Sequence, residues 1–414
     1  MRIIFSMLSS NRVLATSALL LAPLIINFTK ISFAAYKLPL ADFGRFSLYV
    51  GISSAFAYFL NSGLYEGHLK YFSLLQIEKR SRRLGLLQTR SELVSLLILM
   101  MVIIIAAIGL QAIESSESTF VLAMVFAAHV QAHSNLLTAH ARVINNLIRV
   151  GSILSVRSIV SAIFFIGLIW DGDIVVAKAY LYENIAMSLF FCMFLAFRIK
   201  LRHVVNALNA VSVIKQGVWQ CYASSLRNFY FALERFFASL LLSPDALGVY
   251  GRLMLVYQVM VVGGGVISQF VQQKILINAL SRGVKATGIQ LLKFQCTIVS
   301  VTMVMAFLVS LMSSDLLMHL LTVFMGQDIM LWGCVAIFLA GLISGTSLID
   351  SLALGSSNGA AFLKIQVLSG LLWGALFWMC YGVLYLWTLN LQALFFLVLN
   401  ILLIVGNIRF VLLH

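Results

Sequence analysis

Between Leu93 and Ala112 the chain carries no charged residue, and Leu391 to Val405 is a second such run. An α-helix rises 1.5 Å per residue, so about 20 apolar residues span the hydrocarbon core of a bilayer. Runs of this length have no polar face to offer water. The rest of the chain agrees: 62% of its 414 residues are hydrophobic and only 10% are charged, where a soluble domain carries about a quarter. The chain is therefore expected to be an integral membrane protein, and disordered or collagen-like readings are excluded. A transmembrane barrel would alternate polar and apolar residues in segments of about ten. The runs here are continuous, so the fold class is all-α. The formal charge of +14 does not indicate nucleic acid, because the basic residues sit between apolar runs rather than on one surface.

The length rule predicts about twelve transmembrane helices, over 13–35, 43–65, 93–112, 119–140, 152–170, 174–197, 216–242, 247–271, 290–313, 329–353, 364–387 and 391–411. Ser243-Pro244-Asp245 marks the clearest break, since proline after a small polar residue ends one helix and starts the next. Lys and Arg concentrate in alternate connections. One side holds Arg2, Arg12, Lys70, Lys79, Arg80, Arg82, Arg83, Arg90, Arg142, Arg149, Arg198, Lys200, Arg202, Lys215, Lys274, Arg282, Lys285, Lys293, Lys364 and Arg409. The other holds Lys37, with Arg45 and Lys178 just inside helices. By the positive-inside rule both termini are cytoplasmic. Arg2 and Arg12 before an apolar stretch, with Ser32-Phe33-Ala34 after it, also fit a cleavable signal peptide. Lys30 inside that stretch, and the repeat described next, argue for a retained helix. The five cysteines fall inside predicted helices with no CxxC spacing, and carry no redox or metal reading.

The chain nearly repeats at an offset of 204. Asp42-Phe43-Gly44-Arg45-Phe46 matches Ala246-Leu247-Gly248-Val249-Tyr250, and the same shift superposes the first five predicted spans on later ones. Two pseudo-symmetric six-helix lobes follow, 1–205 and 206–414, in the same orientation across the membrane. Transporters built on such repeats bind substrate near the bilayer midplane and alternate by rocking one lobe against the other.

Leu-Ala-Asp-Phe-Gly-Arg-Phe-Ser-Leu at 40–48, followed by Asn61-Ser62-Gly63-Leu64 and a basic stretch, resembles the start of polysaccharide (O-antigen) flippases. These belong to the multidrug/oligosaccharidyl-lipid/polysaccharide exporter superfamily. Leu233-Glu234-Arg235-Phe236, with Leu242-Ser243-Pro244-Asp245-Ala246-Leu247-Gly248-Val249-Tyr250, is similar to the second-half signature of that family, and Phe324-Met325-Gly326-Gln327 to its later turn. Glu234 stands where many members have Asp, and the seventh helix is not proline-rich. The resemblance implies a flippase for a lipid-linked oligosaccharide in the lipopolysaccharide pathway of a bacterial inner membrane. Polysaccharide polymerase and assembly proteins are its implied partners.

An ionisable group in hydrocarbon is costly unless it faces a cavity or a partner, so each is a functional candidate. Arg227 lies about 16 Å into its predicted helix, with Tyr230 and Glu234 on the same face. A guanidinium there suits an anionic diphosphate; the alternative is an internal Arg227–Glu234 or interlobe ion pair. Glu183 and Asn184 sit near mid-depth beside Tyr180 and Tyr182. A carboxyl away from water suits a proton or sodium coupling site, or a partner cation on a neighbouring helix. Lys30 and Glu234 are equivalent in the repeat, as a gate pair or, for Lys30, as a snorkelling cation. His129, His133 and His140 lie within about 40° of one another around a helix. Their HxxxH spacing has no Asp, Glu or Cys beside it, so a pH-sensitive polar stripe or packed histidines are expected rather than a metal site.

Substrate binding is thus expected at Arg227, Tyr230, Lys30 and Asn184, and ion coupling or gating at Glu183, Glu234, His129 and His133. No phosphate loop or catalytic cluster stands in an aqueous segment, and nothing calls for a cofactor. The expected external connections reach at most about 15 residues, too short for the external domain of a polymerase or ligase. The chain is therefore expected not to be an enzyme. A drug or small-molecule/cation antiporter of the same fold is the second reading; it would require an acidic interior.

Overall fold

The computed structural model describes residues 11–61, 64–77, 116–143, 146–170, 175–198, 210–312, 331–345, 352–353, 356, 358–383 and 388–413. The expected span 93–112, the basic residues Lys79 to Arg90 and the turn at Phe324-Met325-Gly326-Gln327 lie outside them. Regular structure among the described residues is helical. In chain order, α1 is Asn11–Lys37, α2 Leu40–Asn61, α3 Leu64–Ile77, α4 Ser116–Val143, α5 Leu147–Ile169 and α6 Val176–Arg198. Then follow α7 Ala210–Leu241, α8 Pro244–Arg282, α9 Val284–Met312, α10 Leu331–Gly345, α11 Gly359–Val383 and α12 Leu389–Leu413.

Local chemistry sets the breaks. Ser243 caps α8, its side chain accepting from the Ala246 N–H at 3.3 Å, and Pro244 opens the helix. Asn146 caps α5 in the same way, accepting from the Arg149 N–H at 3.1 Å. Gly283, with φ +90°, separates α8 from α9; its N–H donates to Ala279 O at 3.2 Å.

Two sequence expectations change here. The basic connection expected between 271 and 290 is helix instead: α8 runs 39 residues, about 58 Å at 1.5 Å per residue. Lys274 and Arg282 lie on α8 and Lys285 and Lys293 on α9, with Gly283 as the whole junction. Helical hydrogen bonding does not stop where hydropathy drops, and this stretch has no breaker before Gly283. In addition, α3 forms in what is read as a loop. Its 14 residues, with Glu66, His68 and Lys70, fall below any spanning rule.

The helices gather into two compact units, one of Met1–Lys37 with Tyr49–Asn228, the other of Leu38–Leu48 with Phe229–His414. In the first, α1 packs on α5, and α4 packs on both α6 and α3. The α1–α5 seam is made of small residues. Gly151 lies against the Leu19 backbone, Ser155 donates to Leu19 O at 3.0 Å, and Asn27 donates to Ser158 at 3.1 Å. In the second, α8, α10 and α12 enclose a core of Leu253, Met254, Tyr257, Ile337, Ala340 and Phe396. A second aromatic layer joins Phe237, Trp373 and Phe377.

Burial is inverted relative to a soluble protein. Helix α5 turns Ser155, Ser158 and Ser161 inward and exposes Ile159, Ile163 and Phe164. Helix α11 buries Gln366 and Ser369 and exposes Leu371, Leu372, Trp378 and Met379. Backbones satisfied within helices, polar side chains inside and large apolar ones outside fit hydrocarbon as solvent. Among the described residues, Ala18–Lys37, Leu147–Ile169, Gly359–Cys380 and Leu389–Leu413 are long and apolar enough to cross a membrane by composition alone. The remaining helices are diluted by polar residues that the fold buries, such as His129, His133 and Ser134 on α4 and Glu183, Asn184 and Ser188 on α6.

Candidate functional site

Each unit holds a buried polar node. In the first, the Lys30 ammonium on α1 donates to Glu183 Oε1 on α6 at 2.5 Å and to Ser161 Oγ on α5 at 3.0 Å. Ser161 donates to the same carboxylate oxygen. Lys30 Nζ also lies 4.9 Å from the centre of the Phe165 ring. Lys30 is 8% and Glu183 3% exposed, so this is an ion pair withdrawn from solvent, where losing either partner strands a charge. Arg157, one turn before Ser161, interacts electrostatically with Glu183 and Tyr180. The Tyr180 hydroxyl is 3.3 Å from Ser53 Oγ on α2. Lys30 is thus bonded to this carboxylate, and the half-buried Arg157 acts on it electrostatically.

In the second unit Glu234 on α7 is wholly buried. It accepts from the Tyr250 hydroxyl on α8 and from Gln392 Nε2 on α12 at 2.5 Å, while Gln392 also reaches Glu234 O at 3.2 Å. Beside it, Arg235 and Tyr250 line a water-sized hollow with Gly44, Ser47, Gly251 and Met254. The repeat motifs of the two halves meet here. A Cβ on Gly44 would stand 2.9 Å from the Gly248 nitrogen, and one on Gly248 would strike the Leu40 carbonyl.

The sequence-derived candidates are therefore distributed as follows. Lys30 and Glu183, assigned separate tasks above, are bonded to each other. Lys30 bonds Glu183 on α6 within the first unit, and Glu234 bonds Gln392 on α12 within the second. Asn184 turns back on its own helix, donating to Tyr180 O at 2.8 Å. Arg227 is half-buried. Tyr230 is buried, its ring filling the place where a side chain at Gly370 would stand. The His129 and His133 rings lie tilted to each other on α4, their centres 5.6 Å apart; His129 Nδ1 lies 3.2 Å from Ser188 Oγ, and His133 packs on Phe191. The side chain of His140 lies outside the described residues. Among the described residues no three His, Cys, Asp or Glu come together as metal ligands.

Ser161, Arg157 and Gln392 are absent from the expected set. Arg157 carried a usable signal, since it is an ionisable residue in the middle of the predicted span 152–170. Ser161 and Gln392 carried none, because uncharged polar residues are scattered through every span.

No protein-family model matches the chain, and no curated protein matches it in sequence. Solved structures do match. A variant of the Vibrio cholerae MATE transporter VcmN aligns with a TM-score of 0.61 at 15% identity, over 96% of this chain and 93% of that one. An outward-facing multidrug resistance MATE family transporter of the MOP superfamily gives 0.67 at 13%, over 96% and 93%. A MOP superfamily transporter from Pyrococcus furiosus, whose binding pocket of reverse polarity suggests a different function, gives 0.64 at 12%, over 97% and 93%. At these identities the likeness establishes the architecture: the chain has the all-helical, multi-pass membrane fold of the MATE-like transporters.

Proposed function

We propose that this protein is a secondary transporter that carries an amphiphilic substrate with an anionic head across a membrane by alternating access. The leading substrate is a lipid-linked oligosaccharide on an isoprenoid diphosphate. The carrying observation is the interior charge of the first unit, where Lys30 and Arg157 act on a single carboxylate, Glu183. A site for organic cations calls for the opposite balance. Moving a diphosphate through hydrocarbon requires a polar, basic path, while the lipid tail stays in the bilayer. In this reading the lobes 1–205 and 206–414 rock about the site, and Arg227 and Lys30 meet the head. Tyr230 and Asn184 meet sugar, and a proton or sodium ion acts at Glu183, Glu234 or the His129–His133 stripe. The home is a bacterial inner membrane with both termini cytoplasmic, and polymerase or assembly proteins receive the product.

The second reading, a drug or small-molecule/cation antiporter, draws more direct support from the solved neighbours, which include a multidrug resistance transporter. The neighbour with a pocket of reverse polarity supports the view that this fold takes substrates of different charge.

Proteoliposomes loaded in parallel with a fluorescent isoprenoid-diphosphate oligosaccharide and with an organic cation dye separate the two. Translocation of the glycolipid without dye movement is expected; dye efflux driven by an ion gradient, with the glycolipid stationary, would establish the antiporter instead. In the same assay Arg227→Ala is expected to lower glycolipid translocation at least about 100-fold, the loss of more than 2.7 kcal/mol of charged hydrogen bonding, with normal membrane insertion. Wild-type rates from that variant would remove Arg227 from the path.

A further inference from the structure

We propose that Glu183 is a resident counter-anion holding the place of the substrate's charged head, and that proton uptake at its free oxygen releases Lys30 to bind that head. The proposal rests on the anionic-substrate reading above and adds its coupling chemistry.

The two carboxylate oxygens of Glu183 are used unequally. Oε1 accepts from both Lys30 and Ser161, whereas Oε2 is buried with no hydrogen-bond partner among the described residues. Lys30 Nζ is directed at Oε1, Ser161 Oγ and the Phe165 face, all within the helices of one unit. A substrate phosphate offers Lys30 the same chemistry as Oε1: an anionic oxygen at hydrogen-bond distance. The carboxylate and the phosphate compete for one ammonium, and two anions do not share it cheaply inside a low-dielectric bundle.

The other groups around Glu183 are accounted for. Arg157 on α5 and Tyr180 on α6 interact with it electrostatically. Ser53 reaches from α2 to the Tyr180 hydroxyl. From α4, His129 is engaged with Ser188, five residues along α6. Lys30 is therefore the cation that Glu183 directly occupies.

The step balances simply. One proton adds to Oε2, converting the carboxylate to a neutral acid; Lys30 keeps its three protons and its charge. The ion pair at Oε1 becomes a bond from an ammonium to a neutral acid, without the attraction between opposite charges, and the ammonium turns to the incoming phosphate. Proton and anion binding then reinforce each other, each raising the affinity for the other by the same factor. The two travel in the same direction, so an inward proton gradient opposes export of the head. Outward movement must draw on consumption of the flipped product.

The test uses the purified full chain in detergent, with farnesyl diphosphate as probe and inorganic pyrophosphate beside it. At pH 8 in weak buffer, binding is expected to take up about one proton per probe bound. The Kd should rise about ten-fold per pH unit while that proton is linked. Glu183→Gln is expected to abolish the uptake, flatten the pH dependence and tighten binding at pH 8 at least ten-fold. Uptake with both probes supports recognition of the diphosphate alone; uptake with farnesyl diphosphate only supports the lipid as its source. Binding without proton uptake and with a flat pH profile overturns the counter-anion role and leaves the anionic-substrate reading standing. A folded wild-type protein that binds neither probe overturns that reading itself. The wild-type measurements decide the matter even if Glu183→Gln fails to fold.

Discussion

Lys30→Met is expected to lower the stability of the folded protein by about 3–5 kcal/mol, the range for breaking a buried ion pair from one side. The substitution leaves Glu183, 3% exposed, with Ser161 as its remaining bonded neighbour. The field of Arg157 places the loss toward the lower end of that range. Lys30→Met with Glu183→Gln is expected to recover most of the loss, because no stranded charge remains and the two changes share one contact. Glu183→Gln alone is expected to cost less than Lys30→Met, since an amide oxygen still accepts from Lys30 and Ser161. Thermal unfolding of the four proteins in one detergent measures the cycle. If Lys30→Met melts within a degree of wild type, the pair is not the buried contact described here.

Gly248→Ala should be strongly damaging to the second unit, at about 3 kcal/mol, the upper end for overpacking. The new Cβ would lie 2.7 Å from the Leu40 carbonyl carbon and would also strike its oxygen. Both are backbone atoms at the start of α2 and cannot rotate away as a side chain would. Gly167→Ala and Gly374→Ala are the controls. A Cβ at either meets nothing within 4 Å, and each replaces a helical glycine, so both should be neutral or stabilising by up to about 1 kcal/mol. Equal melting shifts for Gly248→Ala and Gly374→Ala would show that the α2–α8 crossing is not held by backbone contact.

The equivalence of Gly44 and Gly248 is visible in the sequence as an offset of 204, but their mutual contact is not. A repeat reports that two segments are built alike; it says nothing about which faces they turn to each other. Lys30 and Glu183 show the same limit. Their burial follows from two ionisable groups lying inside apolar runs, and their depth follows from counting residues at a fixed rise. Their pairing spans 153 positions and depends on α1, α5 and α6 presenting particular faces to one another. Arg157 was legible by the same rule as Lys30, whereas Ser161 and Gln392 became significant only through the carboxylates they touch.

Hydropathy by itself determined the all-helical membrane class, because a bilayer tests each stretch of chain for length and charge with little regard to its neighbours. Cap chemistry likewise determined the break at Ser243 and Pro244, since those atoms bond within one turn. Only the tertiary structure decided that Glu234 answers to Tyr250 and Gln392, and that Lys30 is already occupied by Glu183. Those outcomes depend on helix rotation and contact between distant segments, and a rotation of one residue, about 100°, would change every one of the side-chain partners.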